Sequence, residues 1–388
     1  MKRTIKMCAL AMILAVLALP VFAGGKSDGA GGDTITIGVF EPMTGANAAG
    51  GQMEVEAIRL ANKLYPTVTA GGKEYKINLA IVDTKTDKVE AANAVERLID
   101  REKASIIIGT YGSSFAIAGG EVAKEKRVPI IGTTCTNPLV TLGNDYYFRV
   151  CFIDPFQGTV MSNFAFNDQK AKTAVIVQEV TNDYSVGLAN FFVENFKKLT
   201  GNPNSILGTF NYQTGDQDFS AQVTQIKSLN PDVIFAPGNY TESALIMKQA
   251  REQGVNCPVL GGDTWDVPEF LDVGGARVEG ALFSTFFDGE NAATPITGKF
   301  ISDYRTDYKT EPSGFAALAY DAYLLCLDAI RRADSLDKEK IRSAIAQTRG
   351  FVGAAGVVTL DGNGDAVKAA VIKTVKNGKY VFQTVVNP

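Results

Sequence analysis

Histidine is absent from all 388 residues, and tryptophan occurs once, at position 265. Histidine is the commonest general base and the usual partner of a nucleophilic Ser or Cys. Its absence excludes Ser-His-Asp and Cys-His chemistry and any His-ligated metal centre, leaving only lysine-, tyrosine- or carboxylate-based catalysis open. Cysteine is also sparse, with five in the chain and no CxxC pair or metal-type spacing. No Walker sequence is present, and no dinucleotide fingerprint follows a strand, so nucleotide cofactors have no support and no cofactor is expected. Beyond residue 23 no apolar run is long enough to span a bilayer. Basic residues are outnumbered 38 to 42 by acidic ones, which argues against nucleic acid or an anionic membrane surface as partner.

The amino terminus has a different character. Lys2, Arg3 and Lys6 precede an apolar stretch from Met7 to Leu19, and Val21-Phe22-Ala23 supplies the small residues a signal peptidase reads. This pattern predicts a cleaved signal peptide over 1–23 and a periplasmic or otherwise extracytoplasmic product. The apolar run is too short for a membrane-spanning helix, and Cys8 lies inside it, away from the cleavage point. Residues 24–33 read as a flexible glycine-rich tether. Cleavage removes three basic residues and no acidic ones, leaving 365 residues with a net charge of −7. That length predicts two domains. Cys135, Cys151, Cys257 and Cys326 remain; an oxidising compartment permits disulfides, but their wide spacing suits buried free thiols.

Two consecutive apolar runs end in hydroxyl-rich loops. Ser105–Ile108 leads into Gly109-Thr110-Tyr111-Gly112-Ser113-Ser114, and Val128–Ile131 leads into Gly132-Thr133-Thr134-Cys135-Thr136-Asn137-Pro138. Short β-branched runs with a helical segment between them read as buried parallel strands, and ligands bind beyond the carboxyl ends of such strands. The hydroxyls and free N–H groups there suit a small anion such as a carboxylate. The same rhythm begins with a strand over 34–40, a helix over 50–65, a Gly71-Gly72 turn, a strand over 76–82 and a helix marked by Ala91, Ala94, Val95 and Leu98. It restarts near Pro155, with strands expected at 173–177, 205–210, 232–236 and 258–260. Helices are expected at 185–199, 219–229 and 243–254, the middle one capped by Asp218. A third block carries a strand at 281–285 and helices at 295–308, 315–331 and 338–347. Strands at 357–360 and 369–375 close the chain across Asp361-Gly362-Asn363-Gly364-Asp365. That loop resembles the opening of a calcium loop but has Ala366 and Ile372 where Gly and Glu are needed, so it reads as a polar hairpin turn. The whole predicts an α/β fold with parallel-rich sheets covered by helices on both faces.

Several segments, in order, resemble one family. They are Ile37-Gly38-Val39-Phe40-Glu41-Pro42-Met43-Thr44-Gly45, Asp83 with its following helix, Ile108-Gly109 with Ser113-Ser114, Thr136-Asn137-Pro138, Asp218-Phe219-Ser220, Gly238-Asn239-Tyr240-Thr241-Glu242 and Ala319-Tyr320-Asp321-Ala322. On these the chain resembles the substrate-binding proteins of branched-chain amino acid ABC transporters, the leucine/isoleucine/valine-binding type. The resemblance implies the type I periplasmic binding protein fold: two Rossmann-like three-layer lobes joined by three chain crossings. Lobe 1 would take 34–152 and 288–355, and lobe 2 would take 153–287 and 356–388. The crossings would fall near 151–154, 285–288 and 353–357.

The resemblance also implies a site. Ser113, Thr134 and Thr136 would hold a ligand carboxylate and Asp263 its ammonium. Tyr184, Asn239 or Tyr240, Phe315 and Tyr111 would form the side-chain wall. Blander readings stand beside each role. Ser113 also reads as a helix N-cap, Thr136 as a turn residue and Asp263 as a cap for 267–271, while Tyr184 and Tyr111 read as packing residues. Three departures bear on the ligand. The family's first-lobe disulfide positions fall near Thr86 and on Gly112, an aromatic is replaced within Ala48-Ala49-Gly50-Gly51, and Asp replaces a longer acid at 263. The expectation is a monomeric, non-enzymatic receptor that passes an aliphatic or branched-chain amino acid to an ABC permease. A receptor for an amide, urea or aromatic carboxylate is the alternative. A hydrolase using Ser113 would lack a histidine base and a GxSxG elbow. A sensor ectodomain would be expected to carry a membrane helix or signalling domain, and neither is seen before Pro388.

Overall fold

The computed structural model describes residues 33–388. The expected signal peptide and nearly all of the tether lie outside the described residues. Six strands form the first sheet: β1 (Thr34–Glu41), β2 (Thr67–Ala70), β3 (Lys73–Asp83), β4 (Ile106–Ile108), β5 (Ile130–Gly132) and β6 (Tyr147–Arg149). Their order is β2-β3-β1-β4-β5-β6, parallel except for the β2–β3 hairpin. β1 has β3 on one side and β4 on the other, so chain direction switches at its carboxyl end. That is where an open α/β sheet leaves a crevice. Helices α1 (Ala48–Leu64), α2 (Lys88–Asp100) and α3 (Ser113–Glu125) connect these strands. Asp87 caps α2 through the N–H groups of Val89 and Glu90, and Ala91, Ala94, Val95 and Leu98 form its buried face.

The second sheet continues with α4 (Asp154–Asn167), β7 (Ala174–Glu179), α5 (Asp183–Thr200), β8 (Ile206–Tyr212), α6 (Ser220–Leu229), β9 (Val233–Phe235), α7 (Tyr240–Glu252), β10 (Val259–Gly261), α8 (Pro268–Gly274) and β11 (Leu282–Thr285). The chain then runs through α9 (Thr297–Tyr308), α10 (Gly314–Ala333) and α11 (Lys338–Ala346), and the hairpin β12 (Phe351–Gly353) and β13 (Gly356–Val358). It ends in β14 (Ala370–Lys376) and β15 (Lys379–Val386). The order of the second sheet is β15-β14-β11-β10-β9-β7-β8. α10 is buried along most of its length and packs on α1 and against β2, β4 and β5, so the third block covers the first sheet.

Several features depart from the sequence reading. α4, β2 and β15 were not anticipated: α4 alternates small and large apolar residues without a clean stripe, and β2 and β15 are edge strands facing water. Residues 356–358 pair with 351–353 and not with the strand at 370–376. The third crossing lies past the expected 353–357. Gly364 O accepts from Arg149 N–H at 3.0 Å, and Asp365 pairs with Arg149 at 2.6 Å, which keeps the chain on the first lobe. Only from Ala370 does it join β11 of the second sheet. A buried ion pair more than two hundred positions apart in sequence has no local signature. Asp218 accepts from Ser220 N–H at 3.0 Å, but Phe219 occupies the cap position of α6. The Asp361–Asp365 loop closes a turn in which Leu360 bridges Ala366 and Asp361 Oδ1 accepts from Asn363 and Asp365 N–H at 2.8 and 2.9 Å. The four cysteines among the described residues are free thiols.

Candidate functional site

Both hydroxyl loops leave the first sheet at its carboxyl edge. Gly112, at φ +92°, turns the first of them into α3, so the N–H groups of Ser113 and Ser114 have no acceptor within the helix. Ser113 Oγ accepts from Asn137 N–H at 3.0 Å, which ties the two loops together and leaves the Ser113 hydroxyl proton free to donate. The second loop is braced from below by Arg149, which is fully buried. Its guanidinium donates to the carbonyls of Cys135 (2.5 Å) and Asn137 (2.7 Å), to Thr141 Oγ1 (2.9 Å) and to Asp365 (2.6 Å). A guanidinium with all three nitrogens hydrogen-bonded in a fixed fork sets the loop's backbone geometry.

From the facing lobe, Asp263 follows β10 in a single 3-10 turn. Gln157 Nε2 donates to its Oδ1 at 2.8 Å and Tyr184 O–H at 3.0 Å; Oδ2 accepts no hydrogen bond among the described residues. Gly262 makes this approach feasible, because a Cβ there would lie 2.0 Å from Tyr184 Oη and 3.1 Å from Gln157 Nε2. Burial raises the Asp263 carboxyl to about 6, against the pull of the Gln157 and Tyr184 hydrogen bonds.

Between these elements lies a narrow cavity of about 10 Å³ lined by Tyr111, Gly112, Ser113, Thr134, Asn182, Tyr184, Asn239, Asp263 and Thr264. With the lobes placed as they are, that is room for about one water. The cavity adjoins an outer cleft that shares Gly112, Asn182 and Asn239 with it. The lobes touch around it. Ser114 Oγ donates to Asp183 Oδ2 at 2.7 Å, Asn137 Nδ2 to Asp183 O at 2.7 Å, Tyr240 O–H to Ala46 O at 2.7 Å and Tyr111 O–H to Asn239 Oδ1 at 3.4 Å. Burial pushes the Asp183 carboxyl up, but hydrogen bonds from Lys88 and Ser114 outweigh it and hold the group below its ordinary value.

Six of the residues singled out from sequence therefore meet at one cavity: Tyr111, Ser113, Thr134, Tyr184, Asn239 and Asp263. Thr136, Tyr240 and Phe315 do not reach its wall. Thr136 is fully buried, and its Oγ1 finds no partner. Tyr240 is spent on the backbone at the start of α1, where its oxygen also accepts from Ala49 N–H at 3.3 Å. Phe315 lies behind Tyr111, with edge-to-face ring centroids 5.2 Å apart. Tyr111 takes the intervening space because position 50 is glycine; a Cβ there would sit 2.6 Å from its ring. Trp265 is also buried, stacked on Phe270 at 4.6 Å, and does not line the cavity.

Sequence reasoning missed the acids behind the hydroxyls. Thr134 Oγ1 donates to Glu54 Oε1. Glu54, on α1, and Glu41, at the end of β1, are both fully buried, and they stand close enough for the Glu54 charge to act on Glu41. Glu41 Oε2 accepts from Tyr111 N–H at 2.8 Å and from Thr110 Oγ1 at 3.2 Å. Burial pushes Glu54 to about 7, opposed by the adjacent Glu41 carboxyl and the threonine hydroxyls. Burial, then the Glu54 charge, pushes Glu41 well above the carboxylate range. The one signal available was Glu54 within an apolar helical face, where a charged residue is out of place.

A pair of α/β lobes closing on a small polar cavity at their strand ends defines a periplasmic-binding-protein architecture. The chain matches the periplasmic binding protein family over residues 34–379 and belongs to it. It is similar to the leucine binding protein LivK of Thermotoga maritima, with 45% identity over 92% of this chain and 99% of that one, at a TM-score of 0.87. It is also similar to the branched-chain amino acid transporter substrate binding protein LivJ of Streptococcus pneumoniae, solved in complex with isoleucine. That match has 31% identity, covers 92% and 100% of the two chains and gives a TM-score of 0.84. Leu/Ile/Val-binding protein homolog 3 of Brucella melitensis is 28% identical over 341 residues, 85% of this chain and 88% of its own.

Proposed function

We propose that this protein is the extracytoplasmic receptor of an ABC importer, exported by its signal peptide and active as a monomer. It captures an amino acid with an aliphatic side chain between its lobes and presents it to the permease. The reading rests on one observation: hydroxyls and a helix N-terminus on one wall of the cavity face an uncompensated carboxylate on the other. A zwitterion satisfies both. Its carboxylate takes the Ser113 O–H, the first-turn N–H groups of α3 and Thr134, and its ammonium takes Asp263 Oδ2 in a charge-assisted hydrogen bond. Tyr111, Tyr184 and Asn239 border the side chain. The names of the LivK and LivJ relatives support an aliphatic ligand. Ligand held first on one lobe favours closure because Asp263 and Tyr184 meet it only in the shut form.

A second reading, an amide or aromatic carboxylate ligand, is favoured by the wall itself, which carries two tyrosines and no aliphatic side chain. Calorimetric titration with the twenty L-amino acids and with their deaminated acids separates the two. An aliphatic amino acid that binds far more tightly than its deaminated form supports the first. Equal binding of both forms, or binding only of non-amino acids, removes the ammonium role of Asp263.

A further inference from the structure

The two hydroxyls on the carboxylate side of the cavity are not equivalent. Ser113 Oγ accepts from Asn137 N–H, so its proton is unused. Thr134 donates its single proton to Glu54 Oε1. A hydroxyl has one proton to give, so Thr134 turns only lone pairs towards a ligand while Glu54 is ionised. Behind it, Glu41 Oε1 and Glu54 Oε2 are buried without a hydrogen-bond partner. Two fully buried carboxyls placed together cannot both ionise, so one proton stays on the pair. The resting pair thus carries one proton and one charge, with that charge directed at Thr134. Around Glu54 stand Glu41 from β1, Tyr111 after β4, Cys135 after β5 and Asp263 from the second lobe. Glu54 forms no ion pair among the described residues.

We propose that Glu54 is a positioning residue that couples carboxylate binding to uptake of one proton. When a ligand carboxylate enters, a proton from solvent adds to Glu54 Oε1. The new O–H donates to Thr134 Oγ1, and the Thr134 O–H turns to the ligand. Without that proton the ligand carboxylate meets lone pairs with a buried negative charge behind them. This deepens the carboxylate-site reading above and rests on it. The raised Glu54 value puts the event near neutrality, where it is read as a pH dependence. Asp263 is already ionised there and contributes no proton.

The test is calorimetric titration of the full chain with L-leucine at about pH 8, in phosphate and in Tris, which differ in ionisation enthalpy. The expected result is uptake approaching one proton per ligand, with affinity falling up to about tenfold per pH unit above neutrality. In Glu54→Gln the amide N–H₂ donates to Thr134 without titrating. Uptake then disappears and the affinity is flat above pH 7, a change that loss of packing alone would not produce. Leucine binding with no proton uptake by the parent protein overturns the proposal and leaves the amino-acid reading intact, whether or not the variant folds. If leucine does not bind, the other amino acids and the deaminated acids serve as probes under the same criterion. Failure of every carboxylate-bearing probe to bind overturns the proposal together with the reading.

Discussion

On the first lobe an acid reaches the cavity only through an intermediary, with Glu54 behind Thr134 and Glu41 behind Glu54. On the second, Asp263 stands in the wall itself, steadied by Gln157 and Tyr184. Burial raises all three carboxyls, yet binding asks opposite things of them. On the proposed reading Asp263 is ionised to hold an ammonium, whereas Glu54 is neutral for Thr134 to hold a carboxylate. Position relative to the cavity, not burial, decides which protonation state is the working one. Values of about 6 for Asp263 and about 7 for Glu54 leave a window near neutrality where both conditions hold.

The contrast breaks most severely if the first lobe loses its brace. Arg149→Met leaves Asp365 and two loop carbonyls buried without their partner. An expected loss of about 3–5 kcal/mol in urea-induced unfolding measures the cost of an uncompensated buried charge. On the second lobe, Asp263→Asn keeps the acceptor oxygen for Gln157 and Tyr184 but removes the charge. Calorimetric affinity for an amino acid is expected to fall by about 2–5 kcal/mol, while the fold survives.

The same variant sharpens the comparison through stability. The folded value of Asp263 lies above its unfolded 3.8, so the folded chain holds that proton more tightly. The stability tied to that proton is fully present below about pH 4 and is lost as pH rises through about 6. Unliganded Asp263→Asn is therefore expected to be more stable than the parent at pH 8 by up to about 3 kcal/mol. The advantage should vanish near pH 4, as denaturant melts at the two pH values will show. The smallest effect belongs to the rim. Lys88 bridges Asp183 at 2.8 Å with both side chains substantially exposed, and Lys88→Ala is expected to change affinity by at most about 1 kcal/mol, less at high salt.

Much of the frame was legible because it is written in local pattern. Short β-branched runs, helical stripes such as Ala91, Ala94, Val95 and Leu98, and glycine-hydroxyl loops each announce themselves within a dozen residues. Ser113 and Thr134 stood in hydroxyl-rich loops at strand ends, whereas Asp263 was reached through the family resemblance. What escaped notice depends on contacts remote in sequence. Thr134 and Glu54 are 80 positions apart, Gln157 and Asp263 are 106, and Arg149 and Asp365 are 216. Until its partner is known, a glutamate on a helix or an arginine ending a strand reads as a solvated surface residue. Phe315 was misjudged for a related reason: only the packing of Tyr111 over Gly50 places it in the second layer.

The division of labour between the lobes is tested most directly by a crystal structure of the protein grown with L-leucine. The account predicts the leucine carboxylate against Ser113 and Thr134 and its ammonium on Asp263. A ligand lying the other way round, or seated outside the cavity between β4, β5 and β10, would contradict it.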